Sequence, residues 1–175
     1  MTSRPIATEY APFFSGYVSL VPEDNVLAVL ENQLADAARF AAGVSPERER
    51  FRYAPDKWSI REVFGHLIDS ERVFGYRAFC ISRGEKASLP PFDENAYVEG
   101  SRYDRQLLVD LLSEFTTVRQ GNMAFLRQLD EQGWLLLGTA SNNPVSVRAL
   151  AFIMAGHVRH HFNVMRERYG VPPEA

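Results

Sequence analysis

The sequence of 175 residues has one cysteine, no surplus of basic residues and no long apolar run. Cys80 alone cannot form an internal disulfide bond, and a lone thiol fits a reducing compartment such as the cytoplasm. The net charge of −3 does not provide the concentrated positive surface that nucleic acids require. No stretch has the length and apolar character of a signal peptide or of a membrane span. We therefore expect a cytoplasmic protein that binds neither nucleic acid nor membrane.

Four long segments have the 3.6-residue apolar period of an amphipathic helix. They cover residues 23–42, 59–83, 101–130 and 146–169. The second begins at a capping box, in which Ser59 is followed three residues later by Glu62. Four such helices predict an all-α four-helix bundle, formed by residues 1–175 as a single domain. No segment alternates long enough to predict a strand, since the run at 134–137 is too short.

Two segments without a helical period separate or precede these helices. Residues 1–22 contain three prolines, which predict an extended N-terminal arm whose aromatic rings pack onto the bundle. Residues 84–100 form a long connection that, at about 3.3 Å per residue, can cross the full length of a bundle. The second and third helices therefore need not be antiparallel neighbours. Asp93 and Glu94 lie in this connection, which could cover an open metal position.

Of the four histidines in the chain, three lie between Gly156 and His161. His157 and His161 are four residues apart, so on a helix they project from one face, one turn apart. This face is the apolar one, and His160 falls to one side of it. His66, in the second predicted helix, is the only histidine left to supply a third nitrogen. The pattern predicts a three-histidine site with an open position, as in catalytic zinc centres.

A second interpretation of the histidines needs no metal. Each imidazole could hydrogen-bond a neighbouring side chain or a water molecule, because an unsatisfied buried polar group costs about 1–3 kcal/mol. The inward-facing pair on one helix and the spare histidine on another favour the metal.

Three further polar residues could orient a ligand imidazole or accept a proton: Asp69, Glu71 and Asn122. Asp69 follows His66 by three residues on the same predicted helix, whereas Glu71 and Asn122 interrupt apolar stripes. For Glu71 the alternative is a structural ion pair with an arginine such as Arg119 or Arg77.

Three stretches taken together resemble the DinB/YfiT-like family of metalloenzymes. They are Lys57–Val63, Gly65–Phe74 and Gly156–Phe162. The resemblance implies a four-helix bundle in up-down-down-up order, often as a homodimer, with a nickel or zinc ion held by three histidines. Their positions match His66, His157 and His161. Relatives often carry an acidic residue where Val158 stands, so this chain lacks that carboxylate.

The resemblance also implies which activities to expect. Some members are metal-dependent hydrolases, and others transfer low-molecular-weight thiols, so we expect an enzyme of one of these kinds acting on a small molecule. The alternative is a non-catalytic, stress-linked bundle that binds a metal or ligand.

Overall fold

In the computed structural model, which describes residues 3–171, four long helices follow one another along the chain. They are α1 (Val26–Ala42), α2 (Ile60–Ser82), α3 (Leu108–Leu126) and α4 (Val147–Tyr169). The predicted start of α2 is confirmed, because the Ser59 hydroxyl accepts from the Glu62 amide while the Glu62 carboxylate accepts from the Ser59 amide. Gly170, with φ +61°, ends α4 in the left-handed region that glycine tolerates.

Helices α2 and α3 run in the same direction. Near the middle of α2, Arg72 pairs with Glu114 at 2.8 Å. Further along both helices, the rings of Phe79 and Phe125 meet with their centroids 6.0 Å apart. Later residues of α2 therefore face later residues of α3.

Helices α1 and α4 are likewise parallel. The Gln33 amide donates to the Ala155 carbonyl at 2.7 Å, and about two turns later on both helices Phe40 stacks on Phe162 at 4.7 Å.

Helix α4 runs antiparallel to α2. Its last residue, Tyr169, donates a hydrogen bond to the Trp58 carbonyl just before α2, while His157 contacts Phe74 in the second half of α2. The order is therefore up-down-down-up, and the predicted all-α four-helix bundle is confirmed.

The N-terminal arm is present but is not extended throughout. Its described part forms two 3₁₀ turns, Ala7–Glu9 and Pro12–Phe14, and a short α-helix, Ser15–Ser19. The helix fits between Pro12 and Pro22 because a single turn ends before the next proline interrupts it.

Two other predicted boundaries also need correction. The connection 84–100 ends in a short helix, Glu94–Gly100, because the Asp93 carboxylate caps the amides of Asn95 and Ala96. Helix α3 covers Leu108–Leu126 and not residues 101–130, because Tyr103–Arg105 form a 3₁₀ turn, after which the chain extends, and the last helical turn ends before Asp130 caps the next short helix.

The prediction of no strands was wrong in one place. After the short helix Glu131–Leu135, strands β1 (Leu137–Ala140) and β2 (Asn143–Ser146) pair in an antiparallel hairpin. Its turn residues Ser141 and Asn142 have φ of 51° and 61°, the positive values that suit a two-residue hairpin turn. The sequence carries no Asn-Gly or Asp-Gly turn signal there. The two strands are also too short for their alternation to predict a hairpin.

A polar layer crosses the bundle at mid-height between two apolar clusters. On α4, the buried apolar residues between 147 and 155 belong to one cluster and those between 158 and 169 to the other. The other three helices divide in the same way. The layer between the clusters contains buried polar residues from all four helices: Gln33, His66, Ser70, Glu71, Arg119 and His157. Because such groups need partners, this layer is where a site is expected.

Candidate metal centre

Three histidine side chains from two helices meet in the polar layer. The Nε2 atoms of His66 and His157 are 3.0 Å apart, and those of His157 and His161 are 3.1 Å apart. The three potential ligand atoms all lie within 4.8 Å of one another. The structure thus brings together the three histidines singled out from the sequence.

Two of these separations fit a single metal ion as they stand. Zinc–nitrogen bonds of about 2.0–2.1 Å at angles between octahedral and tetrahedral values imply nitrogen–nitrogen distances of about 2.9–3.4 Å. Two of the pairs fall in this range as they stand. Within residues 3–171 no carboxylate or thiol joins the three imidazoles, so the donor set leaves further coordination positions open.

Burial keeps these imidazoles neutral, which is the form that binds metal. Burial, and secondarily the charge of His160, lowers the pKa of His66 to about 4. Burial and the neighbouring histidines hold the pKa values of His157 and His161 well below the ordinary 6.5. At neutral pH a divalent ion would therefore displace few protons.

The N-terminal arm closes one side of the site. Gly156 lets it approach, because a Cβ at this position would lie 1.9 Å from the backbone oxygen of Tyr17. The Tyr17 ring is then held edge-on against His157 and His160, at 5.3 Å and 5.2 Å between centroids. His160 itself stays outside the cluster of three nitrogens.

The residues predicted to orient the ligands have other partners. Asp69 accepts a hydrogen bond from the Tyr103 hydroxyl at 2.7 Å, while Nδ1 of His66 is buried with no hydrogen-bond partner in the described structure. Asp69 therefore does not hold the His66 ring. Burial raises the pKa of the Asp69 carboxyl even though Tyr103 donates to it.

Glu71 and Asn122 belong to a buried ion pair. The Glu71 carboxylate receives the Arg119 guanidinium at 2.7 Å and 2.8 Å, and Asn122 donates to the same carboxylate at 3.0 Å. The alternative interpretation of Glu71 as half of a structural ion pair therefore matches its contacts. The polar layer therefore contains this ion pair beside the histidines.

A cavity of about 480 Å³ opens from the histidines, a volume typical of small-molecule sites. The arm, the long connection and the hairpin all contribute to its wall. Residues that line it include Phe14, Tyr17, Ser70, Phe74, Arg77, Phe92, Glu94 and Ser141. Glu94 thus lies where the long connection was expected to cover the site.

Sequence reasoning did not single out Ser70 as a site residue, and it considered Arg77 only as an ion-pair partner for Glu71. A signal for both exists, because they follow His66 by four and eleven residues and so share its face of α2. That signal becomes useful only once the face is known to line a cavity.

A helical bundle that gathers three neutral imidazoles at the floor of a cavity defines a candidate metalloprotein. The sequence model of the DinB superfamily matches residues 30–165, and the chain belongs to that superfamily. The solved structure of YfiT from Bacillus subtilis, described as a probable metal-dependent hydrolase with an unusual four-helix bundle topology, has the same fold. It matches with a TM-score of 0.74 and 18% identity, over 98% of this chain and 95% of YfiT. No curated protein sequence matches the chain.

Within residues 3–171 no helix has the length and apolar composition needed to cross a membrane.

Proposed function

We propose that this protein is a divalent-metal-dependent enzyme that acts on a small molecule, with His66, His157 and His161 as ligands of a nickel or zinc ion. The observation that carries the proposal is the convergence of three neutral imidazoles, two of them buried and one half-buried, at the floor of an open cavity. A purely structural zinc site would be closed by a fourth protein ligand.

Hydrolysis is the reaction that the site supports best. When bound by three imidazoles, such an ion lowers the pKa of coordinated water towards about 7 or stabilises a thiolate. YfiT, whose fold the chain shares, is described as a probable metal-dependent hydrolase. Around the histidines, Phe74 and Tyr17 exclude bulk solvent, and the Ser70 hydroxyl can donate to a substrate oxygen.

Thiol transfer is the second candidate reaction. A further cavity, of about 340 Å³, is lined by Trp58 and His161 among others. Both cavities share these two residues, so a thiol and an electrophile could approach the same ion from different directions. A hydrolase needs only one of the two cavities.

The test begins with elemental analysis of untagged protein. We expect about one equivalent of metal, which His161→Ala should abolish and His160→Ala should keep with affinity within about tenfold. Loss of metal from the His160 variant and retention in the His161 variant would contradict the ligand assignment. Turnover is then assayed with ester and amide substrates, and separately with glutathione, bacillithiol or mycothiol and an electrophile.

The non-catalytic alternative is tested on cobalt-substituted protein. An open site predicts a visible spectrum that responds to pH and to added thiol. An unresponsive spectrum would favour a bundle that binds metal without catalysis.

A homodimer and a cytoplasmic location remain proposals that rest on the family and on the composition. The arm was one ground for the dimer, but its Tyr17 backbone packs against Gly156 of its own chain. Light scattering at micromolar concentration tests the dimer, and a monomer would remove it.

A further inference from the structure

Arg77 differs from the other buried arginines of the described chain. Arg61, Arg119 and Arg148 each face a carboxylate, from Glu49, Glu71 and Glu9 respectively. Arg77 is only 5% exposed, yet it forms no ion pair with any residue between 3 and 171. Its Nη2 donates only to the neutral Pro90 carbonyl at 2.7 Å and the Ser141 hydroxyl at 3.1 Å.

A buried cation without a counter-charge costs free energy that the fold has to offset. Burial accordingly lowers the pKa of the Arg77 guanidinium. Arg77 lines the 480 Å³ cavity, so an anion bound there can reach it. Glu94 lines the same cavity, but its side chain is exposed and forms no ion pair with Arg77 in the described chain.

The position of Arg77 fixes the shape of such a ligand. His66, Ser70, Phe74 and Arg77 follow one face of α2, and all four line the cavity. Eleven residues separate the first from the last, which is about 16 Å along the helix axis at 1.5 Å per residue. Ser70, between them, is 1% exposed and its Oγ has no hydrogen-bond partner in the described chain.

We propose that the cavity binds an elongated small molecule whose carboxylate pairs with Arg77 while its reactive group lies at the three histidines. The inference rests on the proposed function and names its substrate class: carboxylate-bearing molecules with a spacer of about 10–15 Å. Phe74 lies between Ser70 and Arg77 on α2, and the rings of Phe14 and Phe92 contact it, so this part of the cavity suits an apolar spacer. The Ser70 hydroxyl donates to an oxygen of the substrate close to the histidine end.

The test uses two hydroxamates of equal chain length on zinc-loaded protein. Sebacic acid monohydroxamate carries a terminal carboxylate where decanohydroxamic acid carries a methyl group, and in both the hydroxamate can bind the metal. Calorimetric titration should show the carboxylate compound binding at least about tenfold more tightly than the methyl-ended one, because an arginine–carboxylate pair shielded from water is strong.

Arg77→Gln should abolish this preference, and Arg77→Lys should keep part of it, since it preserves the charge but not the planar fork. Arg83→Gln is the matched control, because it removes an exposed arginine one residue beyond the end of α2. Zinc stoichiometry and the circular dichroism melting curve establish that the variants fold. Equal affinities in the wild-type protein, or a preference that survives Arg77→Gln, would overturn the proposal.

Failure of the proposed function would look different. In that case the protein retains no zinc and binds neither hydroxamate. Octanoate is then compared with octanamide on the metal-free protein. Tighter binding of octanoate that disappears in Arg77→Gln would support the anion subsite without the metal, and equal binding would refute it.

Discussion

The most direct test of the polar layer is Glu71→Gln, which removes one charge and almost no volume. Glu71 is 2% exposed and Arg119 is fully buried, so solvent cannot replace the lost partner. The Arg119 guanidinium also donates to the Leu30 carbonyl at 3.1 Å and to Gln33 at 3.0 Å, which fixes its position. A glutamine at position 71 would leave this cation facing neutral groups alone.

The loss of stability expected for Glu71→Gln follows from the burial of the ion pair. Removing one partner of a buried ion pair typically costs about 3–5 kcal/mol, because the other charge is left uncompensated. A glutamine amide also has one oxygen where Arg119 and Asn122 now donate to two, so at least one donor loses its acceptor. For a chain of this size, about 2–4 °C of melting temperature per kcal/mol predicts a fall of about 10 °C.

Urea denaturation of the metal-free protein measures this free energy of unfolding directly. Glu114→Gln is the matched control, because Glu114 pairs with Arg72 at the surface and should contribute less than about 1 kcal/mol. Zinc affinity of folded Glu71→Gln should stay within about tenfold of the wild type. A cost below about 1 kcal/mol, or loss of zinc from a folded variant, would refute the structural role of Glu71.

Two further predictions concern the surroundings of the histidines. In the same denaturation assay, Gly156→Ala should destabilise the protein by about 1–3 kcal/mol, because the added Cβ meets the backbone of the arm. Gly121→Ala in α3 is the control, because a Cβ there meets open space and the change should be neutral or stabilising. Asp69→Asn should reduce zinc affinity by less than the roughly tenfold typical of a lost ligand-orienting partner, because Asp69 hydrogen-bonds Tyr103 and not a histidine. A larger loss of zinc affinity, measured by calorimetry, would show that Asp69 does orient a ligand.

Much of the bundle could be predicted from the sequence because its signals are local. The apolar period placed four helices, and the capping box at Ser59 placed the start of α2 at the right residue. The histidine spacing on α4 is equally local, since residues four apart on a helix share a face whatever surrounds them. His66 could be added only because the chain contains no other histidine outside residues 156–161.

The features that sequence reasoning missed depend on tertiary contacts. The hairpin is short, and it packs on α2 so closely that a Cβ at Gly138 would lie 2.5 Å from Ile81. The missing ion pair of Arg77 is visible only when every neighbouring element is in place. The orienting role of Asp69 was predicted from its spacing to His66 along one helix. In the structure the Tyr103 hydroxyl, from a turn distant in sequence, donates to the Asp69 carboxylate instead.

The depressed pKa of His66 leads to a prediction about acid stability. In the unfolded chain a histidine titrates near 6.5, whereas folding lowers the pKa of His66 to about 4. Below pH 6.5 the unfolded state therefore binds more protons, so the stability present above that pH is lost as the pH falls towards 4. For His66 alone the loss between pH 7 and pH 5 is about 2 kcal/mol. Urea unfolding of metal-free wild type should show this dependence, and His66→Gln, which cannot titrate, should show about 2 kcal/mol less of it. If both proteins lose the same stability over this range, the His66 imidazole is not held neutral by burial.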